Sequence, residues 1–457
     1  MKTRLSDAWS LIVGSFWFLP GVMALSSVML AIGTLWVDSA FDIDWGAGRG
    51  LIYAGGVSGG REVLSTIAGS MMTVTGVVFS ITIVTLSLTS NQYGPRLLRN
   101  FMSNRSNQIV LGTFISTFTY CLVVLRTLRD DDETVIVPEI SISIGVLLAL
   151  VSVGVLIFFI HHISSSIQAS SILSGVGHEL DAAIESLYPE RIGKGERPSS
   201  DSWTTQPSAT YGHPPHPLTI GKAGYIRAID PQGMMAVASD HDLVIRLECG
   251  PGAFVFRDSR IGTVWSGSKL DDELVKRIRG NVILGNQRTA HQDVEYLMSQ
   301  LVQPALLALS TGVNNSLVAI TAIDWMGAAL ATLAGRQIPS DYRYDDGGNL
   351  RIISASLTFT SLFESAFNPL RESARSNTLV TLRLLDTIVS LTEHVTTEAQ
   401  RQTLLRQTEL LKQDSLESIP NEYDRSRILD RYRDIVRSLT DETFVLTHDT
   451  EPENVPE

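Results

Sequence analysis

The chain has 457 residues, of which 44% are hydrophobic and 18% are charged, and its net charge is −12. A soluble enzyme of this length usually carries about a quarter charged residues, so the composition favours a membrane protein. The acidic balance argues against a nucleic-acid partner. The charge deficit lies in residues 1–178, whereas residues 179–457 have the charge density of a soluble protein, so we predict a membrane half followed by a globular half.

Four apolar runs in the first half are long enough to cross a bilayer, since a spanning helix needs roughly 20 mostly apolar residues. We predict a transmembrane domain over residues 1–162, with spans near 12–36, 64–92, 107–125 and 140–162. The first run is too long for a signal peptide and no clear cleavage site follows it, so we interpret it as an uncleaved anchor.

Basic residues in the short flanks of the spans predict the orientation. Lys2 and Arg4 precede the first span, and Arg96, Arg99 and Arg105 lie between the second and third. The opposite loops are richer in acidic residues, although they also contain arginines. By the positive-inside rule, we predict that both termini and the whole second half are cytoplasmic.

The second span has no charged side chain from Val63 to Pro95, yet a hydroxyl or a glycine occurs at nearly every turn. At about 100° per residue, five hydroxyl residues share one helix face and form what we call the first hydroxyl stripe: Thr66, Ser70, Thr73, Ser80 and Ser87. The glycines that border this stripe are Gly69 and Gly76. A second hydroxyl stripe lies roughly opposite and contains Thr75, Thr82, Thr85 and Thr89.

The stripes have two interpretations, and the sequence leaves both open. The first stripe lines a hydrated pathway in an oligomer, where hydroxyls replace the water around a passing solute. Alternatively, the small residues let neighbouring helices approach closely, and each hydroxyl bonds to the carbonyl one turn back. Coupled transport is disfavoured, because the apolar core of each predicted span lacks Asp, Glu, Lys and Arg.

The segment that follows the second span predicts a helix break at Gly94-Pro95 and then a short amphipathic helix at the membrane surface. Arg96 and Arg99 lie on this short helix. They contact lipid headgroups in one interpretation, and form a basic collar around a cytoplasmic mouth in the other.

The second half has five predicted parts. They are a helical extension (163–190), a loop (191–217), a small β-rich module (218–285), a mainly helical domain (286–440) and a disordered acidic tail (441–457). Short β-rich runs separated by turns predict a barrel-like arrangement for the module. Among the individual elements, we predict strands in MMAVASD (234–240) and RIISASLTF (351–359) and a turn in DYRYDDGG (341–348).

Candidate polar sites occur in the helical domain. Arg288, Gln292 and Asp293 are predicted to lie together on one helix, where they bind a polar ligand or form a salt link at the helix start. Asn314 and Asn315 precede the next helix and either cap it or hold an anion there. The sequence contains no nucleophile elbow, His-Glu-x-x-His motif, Walker loop or Cys-x-x-Cys pair, so we predict no catalytic residues, no cofactor and no metal.

Residues 61–127 resemble a known family: REVLSTIAGSMMTVTGVVFSITIVTLSLTSNQYGPRLLRNFMSNRSNQIVLGTFISTFTYCLVVLRT is similar to the bacterial membrane proteins catalogued as domain of unknown function 2254. The resemblance extends to PGAFV (251–255), RTAHQDVEY (288–296) and ALSTGVNN (308–315). It implies a multi-pass protein of the bacterial inner membrane and implies no activity. The chain departs from the family at 310–316, where it lacks the acidic residue and both prolines of the family's usual Ser-Pro-x-x-Asn-Asp-Pro.

Together these observations predict four transmembrane helices, followed by a cytoplasmic α+β domain with a small β-barrel-like module and a helical C-terminal part. Our functional hypothesis is a homo-oligomeric, channel-like protein of the lipid bilayer whose cytoplasmic half forms a vestibule or gate. The alternative is a membrane-anchored scaffold or sensor whose cytoplasmic domain binds a partner or a small ligand.

Overall fold

The computed structural model of the protein describes residues 17–40, 56–93, 105–128, 138–166, 169–188 and 214–440. The chain divides into two compact units, Met1–Ile172 and Leu173–Glu457. Three predicted features lie outside the described residues: the helix break with the short helix after it, most of the loop 191–217, and the acidic tail 441–457.

The first unit consists of long apolar helices. They are α1 (Phe18–Ala40), α2 (Val57–Tyr93), α3 (Arg105–Thr127) and α4 (Glu139–Ser166). The predicted spans 64–92, 107–125 and 140–162 fall within α2, α3 and α4, and residues 18–36 of the first predicted span fall within α1, since its residues 12–16 lie outside the described residues. At about 1.5 Å per residue, α2 is about 55 Å long, which exceeds the hydrocarbon core of about 30 Å. Helix α5 (Ala169–Leu187) follows α4 in the chain and belongs mostly to the second unit, which begins at Leu173.

Helix α3 is the centre of the first unit, because it packs against α1, α2 and α4. About half of its residues are buried, including polar ones. Thr117 of α3 and Ser152 of α4 form a fully buried hydroxyl pair, 3.0 Å apart. This pair satisfies two polar groups that have no water available inside an apolar bundle, so it joins the two helices.

One end of the bundle is joined by a second polar network. The carboxylate of Asp38, near the end of α1, accepts hydrogen bonds from the backbone amides of Ile140 and Ser141, each at 3.0 Å, and from the Ser141 hydroxyl at 2.6 Å. The amides at a helix start lack partners within the helix, so a carboxylate from another helix caps α4. The buried Tyr120 hydroxyl lies 3.0 Å from Thr34 and donates to the Ser141 carbonyl.

The second unit contains the remaining elements. Its helices are α6 (Pro231–Asp240), α7 (Asp272–Gly280), α8 (Val294–Leu309), α9 (Ser316–Ala334), α10 (Phe359–Ser373), α11 (Thr378–Thr392), α12 (Glu398–Ser418) and α13 (Glu422–Thr440). Its strands are β1 (His216–Thr219), β2 (Gly224–Ile229), β3 (Leu243–Leu247), β4 (Phe254–Val255), β5 (Arg260–Ser266), β6 (Val282–Gly285), β7 (Tyr342–Tyr344) and β8 (Leu350–Ser354). It is therefore a mixed α/β unit.

The strands form two sheets over one core. The larger sheet has the order β1-β5-β3-β8-β7 and the smaller one has the order β4-β2-β6. All neighbours are antiparallel except β3 and β8, which are parallel. Side chains from both sheets and from α6 and α7 share a single buried cluster. Within the described residues neither sheet closes on itself, so this arrangement differs from the barrel-like module that the sequence predicted.

The strand predicted at 234–240 is wrong, because these residues belong to helix α6. The helix is started by the residues before it. The side chain of Asp230 accepts a hydrogen bond from the amide of Gly233 at 3.1 Å, and Pro231 occupies the first helical turn. An acidic N-cap followed by proline is a strong helix start, and it outweighs the β propensity of the short apolar run.

The predictions around β7 and β8 were partly wrong. Tyr342–Tyr344 is a strand rather than part of a turn, and the predicted strand 351–359 ends at Ser354. Thr358 begins helix α10 instead, since its side chain and that of Ser361 form a capping box. Strand β8 pairs in parallel with β3, about a hundred positions earlier in the chain, and such long-range pairing leaves no local signal.

Helix α9 forms the interior of the helical part, where it packs against α8, α10 and α11. By length and composition it is also one of five described helices that could cross a membrane, together with α1 to α4. Helix α5 packs on α9 within the second unit. The ring of Trp325 lies directly over Gly177, and His178 meets the same ring edge-on at 4.8 Å.

We predict that Gly177→Ala destabilises the second unit, because the added Cβ would enter the space occupied by the Trp325 ring. Overpacking costs about 1–3 kcal/mol, against about 1 kcal/mol gained in helix propensity. Gly175, on the same helix, is the matched control, since nothing lies within 4 Å of its Cβ position. Thermal unfolding of the full-length protein should show a lower midpoint for Gly177→Ala and a higher one for Gly175→Ala. A shift in the same direction for both variants would contradict this packing.

Candidate functional site

The first hydroxyl stripe lies on the exposed face of α2. All five of its members are exposed: Thr66, Ser70, Thr73, Ser80 and Ser87. Gly69 and Gly76 are exposed too, and no described atom lies within 4 Å of the Cβ position of either glycine. This face therefore has no packing neighbour within the described part of the chain.

The described side chains of the second hydroxyl stripe, which exclude that of Thr89, lie on the packed side of the same helix. Thr82 and Thr85 are only 7% and 4% exposed. Thr75 donates its hydroxyl to the carbonyl of Met71 at 2.6 Å, and Thr82 donates to that of Val78 at 2.8 Å. These hydroxyls are thus satisfied by their own helix, as expected in an apolar interior.

The hydroxyls of the first stripe can accept further hydrogen bonds. Thr73 donates to the carbonyl of Gly69 at 3.0 Å. A hydroxyl that donates in this way keeps lone pairs on its oxygen, which can accept a hydrogen bond from water or contact a cation. The face is mixed, however, because Val77 and Val84 lie between the hydroxyls and are also exposed. Arg96 and Arg99, the candidates for the adjacent mouth or headgroup contact, lie outside the described residues.

Arg288 and Asp293 form a salt bridge just before α8, which begins at Val294, so these residues and Gln292 do not lie on one helix as predicted. The guanidinium donates to both carboxylate oxygens of Asp293, at 2.7 and 2.8 Å, and to Glu295 at 3.2 Å. Asp293 is 4% exposed, and it also caps α8 by accepting from the amide of Tyr296 at 2.9 Å. The hydrogen bonds to Asp293 raise the pKa of Arg288 above its usual value.

Gln292 and Gly252 extend this salt bridge into a joint between elements. The Gln292 amide donates to the carbonyl of Ile229 at 3.2 Å and accepts from its backbone amide at 3.0 Å, at the end of β2. Gly252 has a φ of 91° and lies against the Arg288–Asp293 pair, so any side chain there would collide with it. Gly252 was not among the candidate residues predicted from the sequence. The Gly-Pro-Gly sequence at 250–252 is the signal that could have indicated a tight turn close to other residues.

Asn314 and Asn315 lie in the loop between α8 and α9. Asn315 occupies the N-cap position of α9, but its side chain makes no capping hydrogen bond. Its backbone amide instead donates to the carbonyl of Ala308 at 2.7 Å. Asn314 is exposed, with a φ of 44°. None of the hydrogen bonds found for the described residues joins these asparagines to Arg288, so the structure does not assemble the five polar candidates into one site.

Two shallow clefts, of about 210 and 250 Å³, flank helix α11. Their charged walls are already paired, because Arg383 contacts Asp324 at 2.5 Å and Arg431 contacts Asp386 at 2.8 Å. Among the described residues, no group of three or more His, Cys, Asp or Glu side chains could hold a metal ion. The exposed face of α2 is therefore the candidate site that packing among the described residues leaves uncovered.

We predict that Asp293→Ala lowers the free energy of unfolding by about 3 kcal/mol, since it leaves the Arg288 charge partly buried without its main partner and removes the cap of α8. Glu295→Ala is the matched control. It removes the other partner of Arg288, but its side chain is 48% exposed, so the change should stay within about 1 kcal/mol. Chemical denaturation of the full-length protein measures both. Equal midpoints would contradict the structural role and favour the ligand-binding interpretation.

The chain is similar in sequence to several known proteins. The chain is 27% identical to uncharacterized proteins of Mycobacterium bovis and of Mycobacterium tuberculosis, over 420 residues that cover 87% of this chain and 79% of each relative. No solved structure matches the chain. The family model described as a predicted membrane protein, domain of unknown function 2254, matches residues 13–390. Because this match covers most of the chain, the protein belongs to the domain of unknown function 2254 family of predicted membrane proteins.

Proposed function

We propose that the protein is a homo-oligomeric, channel-like protein of the bacterial inner membrane, in which the first hydroxyl stripe of α2 faces a common axis. The observation that supports this proposal is the division of α2 into a packed stripe and an exposed stripe of hydroxyls and glycines. An apolar helix that faces only lipid has no need of either residue type on its outer face.

In a bilayer, the exposed face of α2 contacts either lipid or another helix. Small residues favour contact between helices rather than with lipid, because they let backbones approach closely and gain van der Waals energy. Hydroxyl oxygens along an axis can replace part of the water shell of a passing solute. Helix α2 has residues of both kinds on one face. The small residues at the border of the stripe are Gly69 and Gly76, and the hydroxyls within it include Thr73 and Ser80. Several copies around an axis would use both.

The absence of charge from the span favours passive conduction. From Val63 to Pro95, α2 and the residues after it contain no Asp, Glu, Lys or Arg. Pumps and ion-coupled transporters generally use an ionisable group within the membrane to couple two fluxes. A pathway lined by hydroxyls alone would let a solute pass without such coupling.

In this proposal α1 to α4 are the four spans, and α9 is an interior helix of a cytoplasmic domain. Helix α9 supports that assignment, because Asp324 within it pairs with Arg383 of α11. An ion pair in the middle of a lipid-facing span would be costly, whereas it is ordinary at the surface of a water-soluble bundle. Lys2 and Arg4 support the cytoplasmic placement of both termini.

We predict that the purified protein conducts in planar bilayers or liposomes, and that Thr73→Val or Ser80→Val lowers the conductance by about fivefold or more. The reason is that each copy loses a hydrogen bond worth about 1 kcal/mol to a solute passing that level. Thr82→Val is the matched control, since Thr82 is buried and bonded to its own helix. Bilayers that stay silent under voltage, tension and pH changes would refute the channel and favour a membrane-anchored scaffold or sensor.

We also predict that copies contact each other through the glycine border of α2. In a background that lacks Cys121 and Cys249, Gly76→Cys should form a disulfide between copies in native membranes, because a bond needs Cα atoms within about 7 Å. Gly154→Cys on α4 is the control, since Gly154 is equally exposed and also has nothing within 4 Å of its Cβ position. Cross-linking at 154 but not at 76 would contradict the proposed axis.

A further inference from the structure

Two exposed phenylalanines and the half-buried Tyr225 form an aromatic patch on the smaller sheet. Tyr225 of β2 meets Phe254 of β4 edge-on at 5.0 Å, and Phe254 meets Phe256 edge-on at 5.5 Å. Phe254 is 49% exposed and Phe256 is 68% exposed. We call Tyr225, Phe254 and Phe256 the aromatic patch.

The pleat of the strands explains why these rings point outward. Val255, between the two phenylalanines, is buried in the core shared by both sheets. Side chains alternate between the faces of a strand, so Phe254 and Phe256 share the opposite face. The antiparallel register places Tyr225 opposite Phe254 and Gly224 opposite Val255, which brings the third ring to the same face. Inward burial at 255 therefore fixes the outward position of the patch.

Two cationic residues lie at one end of the strand pair that carries the patch. In the antiparallel register, Lys222 and Arg257 leave the same end of the β2–β4 pair, and both are exposed. Neither has an ion pair among the described residues. The aliphatic stem of Arg227 lies over Gly285 on the neighbouring strand. Asp258 follows Arg257 in the turn and is also exposed, so the exposed residues 222, 257 and 258 carry two positive charges and one negative charge.

This chemistry fits a bilayer better than a second copy of the chain. Exposed aromatic rings next to Lys and Arg are the signature of contact with the membrane interface, where rings enter the headgroup region and cations meet anionic lipid. A symmetric dimer through the same patch would instead bring Lys222 and Arg257 of both copies into one interface, and like charges across an interface are unfavourable. The surface therefore matches a negatively charged lipid leaflet.

We propose that the aromatic patch is a docking surface for an anionic phospholipid leaflet. Only two residues separate Ser166 of α4 from Ala169 of α5, so the second unit is tethered to any bilayer that α4 crosses. Tethering raises the effective concentration of the patch at that surface, so weak contacts suffice for docking. This inference needs membrane insertion of the chain and is independent of whether the chain conducts.

The test uses the full-length protein with a fluorophore at Phe256→Cys, in a background that lacks Cys121 and Cys249. The exposed position keeps the label outside the core. In vesicles of phosphatidylcholine and phosphatidylglycerol that contain nitroxide lipids, the label should be quenched. Lys222→Gln and Arg257→Gln should each shift the equilibrium towards the undocked state by about fivefold, and replacing phosphatidylglycerol by phosphatidylcholine should do the same.

A label at Tyr423→Cys is the matched control, because Tyr423 is 69% exposed and lies on α13, which packs against α11 and α12. Quenching at 256 that is no stronger than at 423 would overturn the proposal. Quenching that is insensitive to both charge substitutions and to phosphatidylglycerol would overturn the assignment to anionic lipid. Protection of the label without quenching, together with cross-linking between copies at 256, would assign the patch to a second copy instead.

Discussion

An apolar bilayer offers no water to a hydroxyl or an amide, and this constraint determines how the first unit is built. Several hydroxyls on the packed faces of its helices find partners inside the protein, either one turn back, as for Thr82, or across helices, as for Thr117 and Ser152. Such bonds let α3 carry many polar side chains and still pack against three neighbours. Asp38 extends the same principle to the amides at the start of α4.

The exposed face of α2 carries hydroxyls that do not lie in such a packed interior. The side of α2 that carries the second stripe makes the contacts with the rest of the chain. The hydroxyls and glycines on its other side therefore do not contribute to packing among the described residues. Packing and pathway are then compatible, because each stripe has its own environment. Gly69 and Gly76 suit contact with another helix, and the hydroxyls between and beyond them suit a hydrated surface. An oligomer around an axis would use both properties of the face.

In the second unit, three of the predicted polar site residues join neighbouring structural elements. Arg288, Gln292 and Asp293 join the end of β2, the turn at Gly252 and the start of α8. A salt bridge that is partly buried and shared with a helix cap leaves little capacity for a ligand. The aromatic patch of the smaller sheet is a surface whose role such packing does not explain. Burial of Val255 in the core makes Phe254 and Phe256 point outward, where both are exposed.

The sequence by itself determined the properties that depend on local geometry. A helix turns by about 100° per residue, so the two opposed stripes of α2 followed from spacing alone, as did the long apolar runs. The start of α6 was local too, since Asp230 caps it and Pro231 is its first residue, although the apolar run after them was mistaken for a strand. Only the tertiary structure decided which stripe is covered, because that depends on how α2 packs against α3. It also decided that β8 pairs with β3 and that Gly252 lies under the Arg288–Asp293 pair, since both contacts join positions distant in the chain.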